Sequence, residues 1–327
     1  MNSEFDIIRR YFTRPSRHAL LGVGDDAAII ACNAGMDLVV STDTLVADCH
    51  FFAQTDPLNL GYKALAVNLS DMAAMGATPR WVMLSLTLPD KLAQNDDWLC
   101  TFSRGFFALA DQFEVELIGG DTTCGPLNIG VQIMGETRHG MALKRSTAEP
   151  GDDIWVSGEL GSAALALAYL QRKTVLTPQE AQSCLDRLNK PTPRVSLGQQ
   201  LQKLARGAID VSDGLLADLG HILRSSGVGA MVHFERIPCD SILKKKLMPE
   251  HLEYKLAVDC LLAGGDDYEL CFTAPAGNHE ALAQLSRQSD ARLSCIGKIV
   301  AGSDLTVSTA AGIPVHHEKK GHDHFLA

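Results

Sequence analysis

Aspartates in this chain recur where an apolar run meets small residues, and that recurrence restricts the fold more than any other feature. Leu38-Val39-Val40 runs into Ser41-Thr42-Asp43, and Val115 to Ile118 runs into Gly119-Gly120-Asp121. Ile209-Asp210-Val211 leads into Ser212-Asp213-Gly214, and Leu261-Leu262-Ala263 into Gly264-Gly265-Asp266-Asp267. Leu21-Gly22-Val23-Gly24 ends in Asp25-Asp26. A solvated aspartate ordinarily sits among other polar residues or beside a lysine one helical turn away. The pattern here predicts carboxylates carried on the ends of apolar elements and aimed into one pocket. Asp71 adds a sixth source, sharing with Asn68 one face of the Pro57 to Met75 segment. That segment is otherwise apolar and alanine-rich, so it is predicted to be a buried helix, and a buried acid needs a partner.

Carboxylates gathered in one pocket repel each other unless a cation neutralises them. Oxygen ligands with no His or Cys among them point to Mg²⁺ or Ca²⁺ rather than zinc. A few carboxylates with water and phosphate oxygens around Mg²⁺ form the usual phosphoryl-transfer arrangement. Each motif alone has a plainer reading. Pro150-Gly151-Asp152-Asp153 reads as a β-turn, Ser41-Thr42-Asp43-Thr44 as a cap or Asx-turn, and Asp210 or Asp213 as a cap for a helix at Gly214. Only their joint recurrence favours a metal site. Gly22-Val23-Gly24-Asp25-Asp26-Ala27 matches G-x-G-x-x-A, but two acids at the phosphate end oppose a pyrophosphate, and that reading is rejected. The sequence has no P-loop and no protein-kinase signature. Arg145, in Lys144-Arg145-Ser146, is the best basic candidate for a phosphate, with a surface loop charge as the equal alternative.

Composition excludes several partners. Lys plus Arg number 29 against 39 Asp plus Glu, a formal charge of −10, which disfavours nucleic acid and anionic membranes. Nine scattered cysteines with no C-x-x-C spacing fit neither a disulfide framework nor a zinc site. With no signal-peptide pattern at the amino terminus and no span-length apolar run, the expected location is cytoplasmic. At 327 residues two domains are expected, divided near the Glu149-Pro150-Gly151 turn: 1–145 and 146–327. Alternating strand and helix patterns predict an α+β or α/β fold. Predicted helices cover residues 57–75, 97–112, 161–171, 194–205 and 214–224. Predicted strands cover 37–41, 81–88, 115–118, 128–135, 154–157, 208–211, 269–273 and 293–300.

The ordered set of motifs resembles the thiamine-monophosphate kinases, within the aminoimidazole ribonucleotide synthetase superfamily. The resemblance is carried by Gly22 to Ala27, Ser41 to Val46, His50-Phe51, Lys63 to Ala77, Ile118 to Thr123, Ile209 to Gly214 and Gly264 to Leu270. It implies a two-domain architecture with mixed sheets and helices packed on one face. The N-terminal domain would bind metal and ATP and form a homodimer, and the C-terminal domain would complete the site. It implies ATP-dependent phosphorylation of thiamine monophosphate, with several Mg²⁺ ions. Carried over by position, Asp26, Ser41, Thr42, Asp43, Asp71, Asp121, Asp210 and Asp213 are expected Mg²⁺ ligands. Gly120, Asp121, Arg145 and Ser212 are expected ATP contacts, and His50, Asp266 and His322 substrate contacts. No catalytic side chain is expected, because a phosphate acceptor needs no general base. Two positions depart from the family: Asp266 is one methylene shorter than the usual Glu, and His322 stands where an aromatic residue, often Tyr, is usual.

Overall fold

Residues 3–24 and 26–316 are described by a computed structural model, so the expectation for His322 lies outside the described residues. Clustering of contacts gives two units, Met1–Met72 with Ala77–Met141, and Ala73–Gly76 with Ala142–Ala327.

The first unit runs α1 (Glu4–Ile7), β1 (Met36–Val46), α2 (Pro57–Ala74), β2 (Thr78–Leu88), α3 (Asp90–Ala93), α4 (Asp96–Gln112), β3 (Glu116–Cys124) and β4 (Asn128–Arg138). Helix α2 begins and ends as its residues dictate. Asp56 Oδ1 accepts the Leu58 N–H at 3.0 Å, and Pro57 occupies the first turn, where its missing N–H costs nothing. Gly76, at φ 67°, closes the helix, with the Ala77 N–H donating to Met72 O at 2.8 Å. Lys63, Asn68 and Ser70 on α2 are all buried, as expected of a helix so poor in charge.

The strands form a mixed sheet of order β1-β4-β2-β3, in which only β2–β3 is parallel. Leu45, Leu84, Leu86, Val131 and Ile133 are buried, while Val40, Thr42, Thr44, Ser85 and Gln132 are exposed. That alternation gives the sheet one covered face and a second that is open around Thr42, Ser85 and Gln132, with Trp81, Ile118 and Met134 in a smaller buried cluster. All four strands are longer than the sequence predicts, and two of them run through the aspartate motifs. β1 continues through Ser41 to Val46 because those residues stay in register with Ile133 to Asn128 of β4, and threonine suits a pleated strand. β3 likewise continues through Gly119-Gly120-Asp121 beside Met83 to Ser85. Asp43 and Asp121 therefore lie within edge strands instead of at strand ends.

Glu116 of β3 anchors the segment before β1. The Ser16 hydroxyl donates to its carboxylate, as do the N–H groups of His18 at 2.6 Å and Ala19 at 3.1 Å. Burial raises its pKa, but these donors outweigh burial and hold the carboxyl below its ordinary value. A depressed folded pKa gives stability that is present above the unfolded value, near ~4.3, and lost as pH falls through the folded one. Glu116→Gln is thus expected to flatten the acid limb of the melting temperature plotted against pH, leaving the neutral region parallel to wild type.

The second unit runs β5 (Asp153–Ser157), α5 (Ser162–Leu170), α6 (Pro178–Asn189), α7 (Val195–Leu201), β6 (Gly207–Asp210), α8 (Leu215–Ser226), β7 (Gly229–His233), α9 (Ser241–Lys246), α10 (Tyr254–Ala263), β8 (Leu270–Ala274), α11 (His279–Gln288), β9 (Leu293–Val300) and β10 (Leu305–Ser308). Its sheet has the order β10-β7-β9-β5-β8-β6, antiparallel except for β10–β7. Ile154, Val156, Leu165, Leu219, Ile222, Leu261 and Ile296 belong to one buried core. The turn at Pro150-Gly151 is present, with the Asp152 N–H donating to Glu149 O at 3.1 Å. Pro191-Thr192-Pro193 suggests Thr192 as a cap with Pro193 at the first helical position, but helix α7 starts later, with Arg194, at φ −90° and ψ 38°, as its cap. Leu261-Leu262-Ala263 ends helix α10, so this apolar run is a helix terminus and not a strand.

Candidate functional site

In the first unit, β1 and α2 bring part of the expected metal set together. The Ser41 hydroxyl donates to Asp71 Oδ2, tying strand to helix. Alternation places Asp43 on the same covered face as Ser41, and Thr42, whose hydroxyl donates to Val131 O at 3.1 Å, on the open face. Asn68, one turn before Asp71, donates to Ala64 O while its fully buried Oδ1 has no hydrogen-bond partner. Asp26 lies in an exposed loop between the isolated bridge partners Leu21 and Ile29, with no helix following, which removes any dinucleotide fold from Gly22 to Ala27. His50 accepts the Val46 N–H on Nδ1 at 3.0 Å, which puts the proton of the neutral ring on Nε2 and makes that nitrogen the donor.

Asp121 is not brought beside Asp43. Asp43 shares a rung with Val131, Leu84 and Gly120, so β4 and β2 stand between the two acids, about 14 Å of sheet. Gly120 is needed by the sheet itself. It has φ 145°, and a Cβ there would fall 1.8 Å from Leu84 O. Gly120→Ala is expected to cost about 1–3 kcal/mol in a denaturant titration, with or without nucleotide.

In the second unit, two motifs far apart in sequence are laced together. The Asp266 N–H donates to Ser212 O at 2.9 Å, Tyr268 N–H to Val211 O at 2.8 Å, and Val211 N–H to Glu269 O at 2.8 Å. This sets Asp266 beside Ser212, at the end of the strand that carries buried Asp210. The helix that follows is not capped by Asp210 or Asp213. Asp218 Oδ2 instead accepts the N–H groups of Ser212, Asp213 and Gly214 at 3.0, 3.0 and 3.1 Å. Burial lowers the His221 pKa, and the Arg224 and Arg145 charges lower it further against the pull of Asp213. Exposed Arg145 and half-buried Asp213 thus act on one imidazole.

Two features test the fit of Mg²⁺. Burial first, then the Asp210 and Asp213 charges, push the Asp218 carboxyl up to about 8. Such crowding of acids is what a hard cation relieves. Among the described residues, no three of the expected aspartates offer ligand atoms within 4.8 Å of one another. Mg²⁺ fits this sparse donor set, because it binds through one or two carboxylates, with waters and phosphate oxygens completing its shell. Asp153, His279 and Cys295 do gather within 4.8 Å. Lys298 Nζ already lies 3.1 Å from Asp153 Oδ1, and its ammonium opposes a second cation there.

Family models describe the chain in two parts: AIR synthase related protein, N-terminal domain, over residues 24–137, and the corresponding C-terminal domain over 149–309. The curated thiamine-monophosphate kinase of Salmonella typhimurium is 44% identical over 326 residues, covering 98% of each chain. This chain belongs to the thiamine-monophosphate kinase family. A crystal structure of thiamine-monophosphate kinase from Stenotrophomonas maltophilia matches with a TM-score of 0.83 and 46% identity, over 94% of this chain and 95% of that one. A structure described as AaThiL complexed with AMPPCP and TMP matches with a TM-score of 0.76 and 29% identity, over 93% and 92%. The two-domain, mixed-sheet architecture expected from the sequence is that of the thiamine-monophosphate kinase fold.

The sequence assigned no role to three acids, Asp218 and, inside the Gly264 to Leu270 motif, Asp267 and Glu269. Asp218 clasps the Ser212 to Gly214 turn, Asp267 Oδ2 accepts the Gly161 N–H at 2.7 Å, and Glu269 is ion-paired with Arg194. The one sequence signal for Asp218 was an acid in the first turn after a glycine.

Proposed function

We propose that the chain transfers the γ-phosphoryl group of ATP directly, in line, to the phosphate of thiamine monophosphate, giving thiamine diphosphate as the last step in making that cofactor. The observation that carries this reading is near-complete coverage at 44% identity by a thiamine-monophosphate kinase. A more distant relative whose structure holds AMPPCP together with TMP adds support. Asp26, Ser41, Thr42, Asp43, Asp71, Asp121, Asp210 and Asp213 are the proposed ligands of several Mg²⁺ ions. The sheet that separates Asp43 from Asp121 favours more than one ion. Bound Mg²⁺ neutralises the charge of two phosphates that must approach each other.

The protein's own groups orient the reactants. Arg145 offers a bidentate fork to phosphate. Ser212 has its N–H on Asp218 and its carbonyl on Asp266, so its hydroxyl is the group it presents to ATP. Gly120 and Asp121 face ATP from β3, and His50 Nε2–H and Asp266 meet the acceptor. The acceptor phosphate is already anionic at neutral pH, its second pKa lying near ~6, so no side chain need remove a proton. All nine cysteines are free, which agrees with a reducing cytoplasm. Exposed Leu38 and Val40 on the open sheet face support the homodimer.

The test is to incubate the protein with ATP, Mg²⁺ and thiamine monophosphate and follow products by chromatography. Thiamine diphosphate forming only when all three are present supports the proposal. ADP released equally without the acceptor would replace it with an ATPase, or with a different acceptor.

A further inference from the structure

We infer that Asp218 is a positioning residue, which holds the Ser212-Asp213-Gly214 turn in the shape that presents Asp210 and Asp213 to a divalent cation. The inference rests on the Mg²⁺ set proposed above. One oxygen of a carboxylate that is 2% exposed takes three consecutive backbone N–H groups, from Ser212, Asp213 and Gly214. Consecutive amides that converge in this way form a nest for an anion. In a nucleotide site such a nest often receives phosphate, but here the first turn of α8 fills it from inside the chain. Nucleotide phosphate therefore does not use these amides, and the turn is fixed before any ligand arrives.

The opposite side of the turn is held just as firmly. Asp266, Tyr268 and Glu269 hydrogen-bond to Ser212 and Val211. Gly214 sits at φ 118°, and a Cβ there would meet Ala263 backbone atoms at 2.6–2.9 Å. Asp218 is the anchor on the facing side, where it holds the amides of residues 212–214. Loss of Asp218 would leave three N–H groups without their acceptor, the Gly214 one buried, and the turn would rotate them towards water, taking Asp213 with it. A group that orients metal ligands without touching the metal acts on affinity for the ion.

The experiment is a Mn²⁺ titration of the nucleotide-free protein, read by electron paramagnetic resonance, on wild type and three variants. Asp218→Ala is expected to weaken the tightest Mn²⁺ site by about 10–100-fold, the range seen when an outer partner of a metal ligand is removed. Asp218→Asn, whose amide oxygen can accept the same N–H groups, is expected to keep that affinity within about threefold. Asp218→Glu keeps the carboxyl but moves its oxygen by a methylene, and is expected to weaken binding as Asp218→Ala does. Should Asp218→Ala fail to fold, the contrast between Asn and Glu carries the test. Rescue by Glu and not by Asn would overturn the inference, since an ionisable carboxyl would then matter and not the position of the acceptor oxygen. A wild-type isotherm for Asp218→Ala or for Asp218→Glu would also overturn it. The titration needs no acceptor, so wild type that binds Mn²⁺ without forming thiamine diphosphate would fail the proposed function and leave this inference testable.

Discussion

Asp210→Asn is expected to lower kcat by at least about 100-fold, on the scale set by removing one fixed electrostatic group from a phosphoryl- or acyl-transfer site. Asp210 is 4% exposed at the end of β6, and its charge acts on Asp218 together with that of Asp213. Three carboxylates so placed disfavour one another in the metal-free protein. Replacing Asp210 by an isosteric amide removes repulsion and a proposed metal ligand at once. The metal-free variant should therefore melt no lower than wild type, while the rise in melting temperature on adding Mg²⁺ should shrink. Loss of activity without loss of stability is the signature of a residue kept for function at a cost to the fold. A kcat within tenfold of wild type, with an undiminished Mg²⁺ shift, would remove Asp210 from the ligand set.

The local features of the fold were legible because they depend on neighbours in sequence. Asp56, Pro57 and Gly76 mark the ends of α2 through capping chemistry that acts within a turn, and Pro150-Gly151 marks a turn for the same reason. What was not legible depends on distant partners. Nothing within Ser41 to Val46 announces that β4 will hold it as strand, and nothing near Gly120 announces that Leu84 will crowd it. β7 and β10 carry little periodicity of their own and exist because β9 and one another complete their hydrogen bonds. Leu261-Leu262-Ala263 is a short apolar run, for which strand and helix cannot be told apart by period. The aspartates of the candidate site stood out because acids beside apolar runs are unusual. Asp218 did not, and the roles of Asp267 and Glu269 were not legible either, since an acid that satisfies backbone amides or an arginine has the same sequence context as one in solvent.

Arg194→Ala is expected to destabilise the second unit by about 3–5 kcal/mol, the usual result of stripping one partner from a buried ion pair. The pair is bidentate: Arg194 Nε donates to Glu269 Oε2 at 2.7 Å and Nη2 to Oε1 at 2.5 Å, with side chains only 10% and 4% exposed. Ser157 adds a hydroxyl donor to Oε2 and accepts the Leu270 N–H at 2.9 Å, so the carboxylate lies at the centre of a closed network. Denaturant unfolding should show the loss, and the double replacement Arg194→Met with Glu269→Leu should recover most of it, because no buried charge is then left alone. The pair also bears on the site. Asp266 and Tyr268, at φ 69° and 51°, are non-glycine residues in left-handed backbone, each costing on the order of 1 kcal/mol. Glu269 follows directly, so releasing it from Arg194 lets the strained loop relax and carries Asp266 away from Ser212. The double variant, stable but without this anchor, is accordingly expected to show a raised KM for thiamine monophosphate and a near-normal KM for ATP. An equal rise in both constants would mean that the network supports the unit as a whole and does not aim the Asp266 loop.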